Sequence, residues 1–225
     1  RETNRLELIT AEEQLSLRAR HLHNLGTSYF NSNLDSAMLY WGQALQLGEH
    51  LALSDDAAVQ RAGKLQVMRS SSNTALGYQY RGLYPLALKQ YQRCLRIAEE
   101  LHDKRGTMMA LNNIGLIKMS QEKADEALAY FQRSHELAVE AQDSNVICTT
   151  VNNIGTALKR LKHYAAALAK FRESLALAEM LGDDDQIVDD LINIGAIQVI
   201  HRQPDSALVT FQRSLALATD RKSVV

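Results

Sequence analysis

Proline, cysteine and concentrated charge are all scarce in this chain of 225 residues. There are two prolines, and Pro85 and Pro204 both stand where a helix would begin. A first turn tolerates proline because its missing N–H would have no partner there. No stretch shows the alternation of a half-buried strand, which argues against a sheet. The two cysteines, Cys94 and Cys148, set no redox compartment. Both lie on apolar helix faces and are expected to be buried free thiols. The formal net charge is −1, without the clustered basic footprint of a nucleic-acid binder. No apolar run approaches the roughly 18 residues that would cross a bilayer, so no membrane insertion is expected. A signal peptide is missing, but the chain begins at Arg1 and reads as an excised fragment, so that absence proves little. The cytoplasm is the default expectation, and the periplasm the alternative for part of a bacterial sensor.

Catalytic signatures are missing as well. There is no His-Glu-x-x-His, no phosphate loop and no Gly-x-Ser-x-Gly. The seven histidines are scattered, and His21 and His23 are two apart, hence on different helix faces. The run Asp183-Asp184-Asp185 lacks the other ligands of a calcium loop and reads as a helix start, where carboxylates favour the dipole. No enzyme activity, metal or cofactor is expected.

What the chain does have is a period. Asn112-Asn113-Ile114-Gly115, Asn152-Asn153-Ile154-Gly155 and Ile192-Asn193-Ile194-Gly195 recur every 40 residues. Each is followed at a fixed distance by Ala-x-x-x-Phe: Ala127 and Phe131, Ala167 and Phe171, Ala207 and Phe211. Ala87 with Tyr91, and Ala37 with Trp41, extend the pattern backwards. The five matching asparagines are Asn24, Asn73, Asn113, Asn153 and Asn193, spaced 49, 40, 40 and 40 apart. A period of this size means stacked small units rather than one closed globule. The expected units are 10–54, 55–102, 103–142, 143–182 and 183–220, forming one domain over 1–225. Residues 1–9 would be an upstream helix end or a linker.

Each unit reads as two helices. Met108, Leu111, Ile114 and Ile117 mark one face of a helix from Asp103 to about Ser120. The second runs from about Ala124 to Ala141, with Ala127, Phe131 and Leu137 inward. Asp103, Asp143 and Asp183 recur as N-caps, each worth about 1 kcal/mol. Thr10 and Glu13 have capping-box spacing and predict a helix start in the first unit. Mid-helix glycine costs roughly 1 kcal/mol relative to alanine. Its recurrence at Gly26, Gly115, Gly155 and Gly195 implies that a partner helix crosses too closely for a side chain. The nine extra residues of the first spacing, near Leu51 to Arg61, predict a lengthened helix pair.

These residues resemble the tetratricopeptide repeat, whose signature is Leu-Gly in the first helix and Ala-x-x-x-Phe in the second, with a typical length of 34. Leu25-Gly26, Ile114-Gly115, Ile154-Gly155 and Ile194-Gly195 match the first part, and the five Ala-to-aromatic pairs match the second. The 40-residue unit departs from the usual length, and aspartate caps replace the usual proline between units. HEAT and armadillo repeats have similar periods but lack this spacing. The variety is similar to kinesin light chain and to bacterial regions fused to sensor kinases or helix-turn-helix regulators. The resemblance implies an all-α, right-handed superhelix of five helix-turn-helix repeats, with the first helices lining a groove.

It also implies a function. Family members with an asparagine before the Leu-Gly pair use it to hold a peptide backbone, a role carried onto Asn24, Asn73, Asn113, Asn153 and Asn193. A side-chain amide both donates and accepts, so it can pair with both groups of a peptide unit. The alternative is that each asparagine bonds to a neighbouring helix and fixes packing. Asn112 and Asn152 stand one residue earlier on the groove helices. Arg20 and Arg69 lie four before the asparagine, and Lys159 and Arg160 six or seven after it. Together they suit an acidic peptide with an apolar end at Ile192, Val199 and Ile200, unless a further helix covers those residues. The expectation is a peptide-binding scaffold. A second reading is the ligand-sensing region of a bacterial signalling protein, with a kinase or DNA-binding output domain.

Overall fold

The aspartates expected to start helices do so. In the computed structural model the Oδ1 atoms of Asp103, Asp143 and Asp183 accept from the backbone N–H groups of Gly106, Val146 and Gln186 at 3.0, 3.2 and 3.1 Å. The structure describes residues 2–220, and the side chains of 11–219. Ten helices follow in order among them: α1 Glu2–Tyr29, α2 Leu34–Leu51, α3 Ala57–Tyr80, α4 Tyr84–Glu100, α5 Lys104–Ser120, α6 Ala124–Ala141, α7 Ser144–Arg160, α8 Tyr164–Leu181, α9 Asp184–Ile200 and α10 Pro204–Asp220. No strand occurs among the described residues. Pro85 and Pro204 occupy first turns, as expected.

Two local expectations are corrected. Helix α1 runs unbroken through Thr10, so the Thr10/Glu13 spacing starts no helix. The nine extra residues near Leu51 to Arg61 do not lengthen both helices of a pair. Helix α3 takes most of them, at 24 residues against 17 for α5, and its N-cap Asp56 accepts from Ala58 and Val59. The remainder makes a longer connection over 52–56.

The chain packs as two compact units, one up to Ile117 and one from Lys118. In the first, α1 packs on α2, α2 on α3 and α3 on α4, and α1 also touches α3. In the second, α6 through α10 pack in the same consecutive way, and α7 also touches α9. First helices therefore lie beside first helices within each unit. The buried residues are those the repeat points to: Ala37, Trp41, Ala87 and Tyr91 in the first unit, and Ala127, Phe131, Ala167 and Phe171 in the second. Leu137 is only partly buried, and its neighbours Ser134 and Ala138 take the innermost places.

The glycines have a more specific cause than two helix backbones crossing. A Cβ at Gly26 would lie 2.5 Å from Cδ1 of Trp41. At Gly155 it would lie 2.8 Å from Cε1 of Phe171, and at Gly195 2.5 Å from Cε1 of Phe211. The excluded volume is thus mainly the aromatic ring of the second helix, and the two halves of the motif are one knob and its hole.

A further recurrent contact sits three residues after the ring. Cys94 Sγ donates to the Met68 carbonyl at 3.2 Å, Ser174 Oγ to that of Cys148 at 3.3 Å, and Ser214 Oγ to that of Val188 at 3.4 Å. Each bond ties a second helix to the first helix before it, and satisfies a side-chain group that would otherwise be costly to bury. Cys94 and Cys148 are buried free thiols, and burial pushes the Cys94 thiol up to about 12.

Candidate functional site

In the first unit, α1, α3 and α5 each bring one predicted asparagine. Asn24 is exposed on α1, and Asn73 and Asn113 are half-buried on α3 and α5. The Thr27 hydroxyl accepts from Asn73 Nδ2 and from Trp41 Nε1, both at 3.3 Å, so one oxygen gathers α1, α2 and α3. Arg20 and Arg69 are both exposed on this face. Asn112 is half-buried and engaged.

Between these helices lies a cavity of about 260 Å³. Met68 and Ala110 form its floor with Cys94, which reaches in from α4. Its rim carries Arg69 and Asn73 from α3, Arg105 from α5 and His23 from α1. Gly106 lines it without a side chain, and a Cβ there would come within 3.0 Å of Met68 Sδ. Burial, aided by the nearby Arg69 guanidinium, holds the His23 pKa below its ordinary 6.5. His23 is therefore neutral at pH 7, and Arg69 and Arg105 supply the positive charge. The nearby carboxylate, Asp103, turns Oδ1 to the Gly106 N–H at 3.0 Å.

In the second unit Asn152, Lys159 and Asn193 are drawn into packing. Asn152 Nδ2 donates to Asp190 Oδ1 at 2.7 Å, tying α7 to α9. Lys159 donates to Asn193 Oδ1, and its ammonium stands 5.7 Å from the Phe171 ring centre. Burial, with Arg160 beside it, lowers the Lys159 pKa. Arg160 is exposed, and Asn153 is half-buried and engaged. Ile192, Val199 and Ile200 are exposed.

Sequence reasoning missed Asp190, which is fully buried. Burial raises its carboxyl to about 6, outweighing the polar contacts of Asn152, Ser174 and Gln186. The repeat carried a signal for it, since Ser70, Ala110 and Thr150 hold the equivalent place and only Asp190 is charged. Arg105 and Gly106 were also missed, because they stand in a first turn away from the motif. No group of three metal-ligating side chains occurs among the described residues, and no described helix is long and apolar enough to cross a membrane.

Comparisons with known proteins place this arrangement. No curated protein is significantly similar in sequence. Similar solved structures include BtubC (BKLC) from P. vanneervenii, with a TM-score of 0.73 and 17% identity over 95% of this chain and 91% of that one. A putative kinesin light chain repeat protein from Podosopora anserina has a TM-score of 0.70 and 12% identity over 93% and 98%. A Rap conjugation gene regulator, solved in complex with the Phr* peptide, has a TM-score of 0.73 and 13% identity. This chain covers 55% of that regulator, and 93% of this chain is matched. At these identities the likeness shows the fold. The tetratricopeptide repeat model matches over 66–139, 106–180 and 145–220. With that sequence pattern across most of its length and ten helices in the matching order, the chain belongs to the tetratricopeptide repeat family.

Proposed function

We propose that the chain is a non-enzymatic scaffold that binds an extended peptide on the first-helix face of its repeats. The observation that carries this reading is the cavity bordered by Asn73, Arg69 and Arg105, where amide and cationic groups surround an apolar floor. Asn24, Asn73 and Asn113 hold the peptide backbone, and Arg20 and Arg69 favour acidic side chains. Asn152 and Lys159 belong instead to repeat packing. The Phr* peptide bound by a regulator of like fold supports this reading. The same similarity favours a second reading, in which peptide binding regulates an output domain fused to this region. A buried thiol such as Cys94, pushed up to about 12, is a poor nucleophile, because the thiolate is the reactive form.

The test replaces Asn73 and Asn113 with alanine and measures both the Kd for a selected peptide and Tm. Each amide's hydrogen bonds contribute about 0.5–1.5 kcal/mol net, so each change should weaken binding by up to about tenfold. Tm should fall only slightly, because neither side chain is fully buried and the bond that Asn73 donates to Thr27 is exposed and long at 3.3 Å. A large fall in Tm with unchanged affinity would mean that the asparagines only fix packing.

A further inference from the structure

The 49-residue spacing of the first repeat builds a second cleft, one flanked by second helices. The extra residues extend α3 at its N-terminal end, past the place where Asp103, Asp143 and Asp183 start the later first helices. Gly63 holds that place in α3. A Cβ there would lie 2.3 Å from the Ala52 backbone nitrogen, so glycine lets the longer helix pass close to the 52–56 connection. The connection is itself pinned. The N–H groups of Ala52, Leu53 and Ser54 donate to the carbonyls of Gly48, His50 and Leu51 at 2.9, 3.1 and 3.1 Å. Leu53 is thereby held in place with 82% of its surface in water, where covering it would be favourable.

Beside it, between α2 and α4, lies a cleft of about 480 Å³. Small-molecule sites run to roughly 300–1,000 Å³. Ala52, Leu53, Val67 and Ile97 give the cleft its apolar lining. Most of its charged lining is already paired: Arg93 with Glu49 at 2.6 Å, and Lys64 with Glu100 at 2.5 Å. The remaining cation, Arg96, is exposed and has no ion-pair partner among the described residues. The equivalent places in the other repeats hold Gln46, Glu136, Ala176 and Ala216, so this cation belongs to this cleft alone. A guanidinium offers a planar fork of donors suited to carboxylates. The Arg93–Glu49 pair spans the cleft from α4 to α2, which leaves space for a small molecule and obstructs a helix laid along it.

We infer that this cleft binds a small organic acid with an apolar body, its carboxylate on Arg96 and its hydrocarbon against Leu53, Val67 and Ile97. The site lies apart from the asparagine-bearing face of α1, α3 and α5, and does not rest on the peptide-binding reading.

The test titrates the whole chain with octanoate, octanol and octylamine, followed through the backbone amide signals by NMR. Millimolar octanoate should shift Ala52, Leu53, Val67 and Ile97. Octanol has the same chain without the charge and should bind about fivefold more weakly, the scale of an exposed charge pair. Octylamine should bind more weakly still. Arg96→Ala should bring octanoate down to the level of octanol, and Arg96→Glu should reverse the order in favour of octylamine. Arg96 is exposed, so the fold should survive both changes, which an unchanged Tm verifies. Leu53→Ser, at another exposed place, should weaken octanoate and octanol alike. Octanoate that shifts none of the four residues would overturn the inference. So would octanoate binding that Arg96→Ala leaves unchanged, or equal binding of all three probes.

Discussion

Replacing Asp190 with asparagine should stabilise this protein progressively as the pH rises. The Asp190 side chain is fully buried, and its Oδ2 has no hydrogen-bond partner. Burial raises its carboxyl from an ordinary 3.8 to about 6. The folded state therefore holds this proton more tightly than the unfolded state does. Stability from this group is complete below about pH 4 and is lost as the pH rises through about 6. A shift of this size corresponds to about 3 kcal/mol, at 1.36 kcal/mol per pH unit. The Asp190→Asn change would keep an acceptor for Asn152 and remove the charge, although the new amide N–H group has a cost of about 1–3 kcal/mol if it finds no acceptor. That cost is the same at every pH. The difference between variant and parent, from urea unfolding at pH 4 and pH 7.5, should therefore widen in the variant's favour by about 2.4 kcal/mol, the rest of the effect falling below pH 4. A difference that stays constant would show that the Asp190 carboxyl titrates normally.

The second large effect is a change of sign. Phe171 is fully buried, so Phe171→Ala should cost about 3–5 kcal/mol. Gly155→Ala in the parent drives a methyl to 2.8 Å from that ring. Overpacking of this kind costs about 1–3 kcal/mol, against about 1 kcal/mol gained from helix propensity. In the Phe171→Ala background the ring is gone and only the gain remains. Gly155→Ala should thus be neutral to destabilising alone and stabilising in the double variant. Residues in contact commonly show coupling of about 0.5–3 kcal/mol. Equal effects in the two backgrounds would mean that the glycine and the ring are not a matched pair.

Much of this fold could be read from the chain because its rules are local and repeated. Asp103, Asp143 and Asp183 cap helices through contacts three residues away, so spacing alone located them. The Ala-x-x-x-aromatic phrase located the core, since the alanine and the ring lie one turn apart on the same face. Thr10 misled because a capping box is a pattern of four residues, and the surrounding sequence continues the helix through it. The glycines were recognised as close approaches, but their partner was not, since the ring touching Gly155 stands 16 residues away on another helix.

The candidate site was less legible. Asn73 and Arg69 were visible from the repeat, whereas Arg105, Gly106 and Met68 become neighbours only when α3 and α5 pack. Asn152 and Lys159 looked like groove residues by their place in the repeat. Their partners, Asp190 and Asn193, come from the following repeat, and Asp190 departs from the residue type of its equivalents.

The central claim is that a peptide lies along the first helices. The most direct measurement is the set of asparagine side-chain amide resonances, followed by NMR as a selected peptide is added. A backbone held by these amides should shift Asn24, Asn73 and Asn113, together with backbone signals of α1, α3 and α5. Shifts confined to α2 and α4, with those three side chains unmoved, would contradict it.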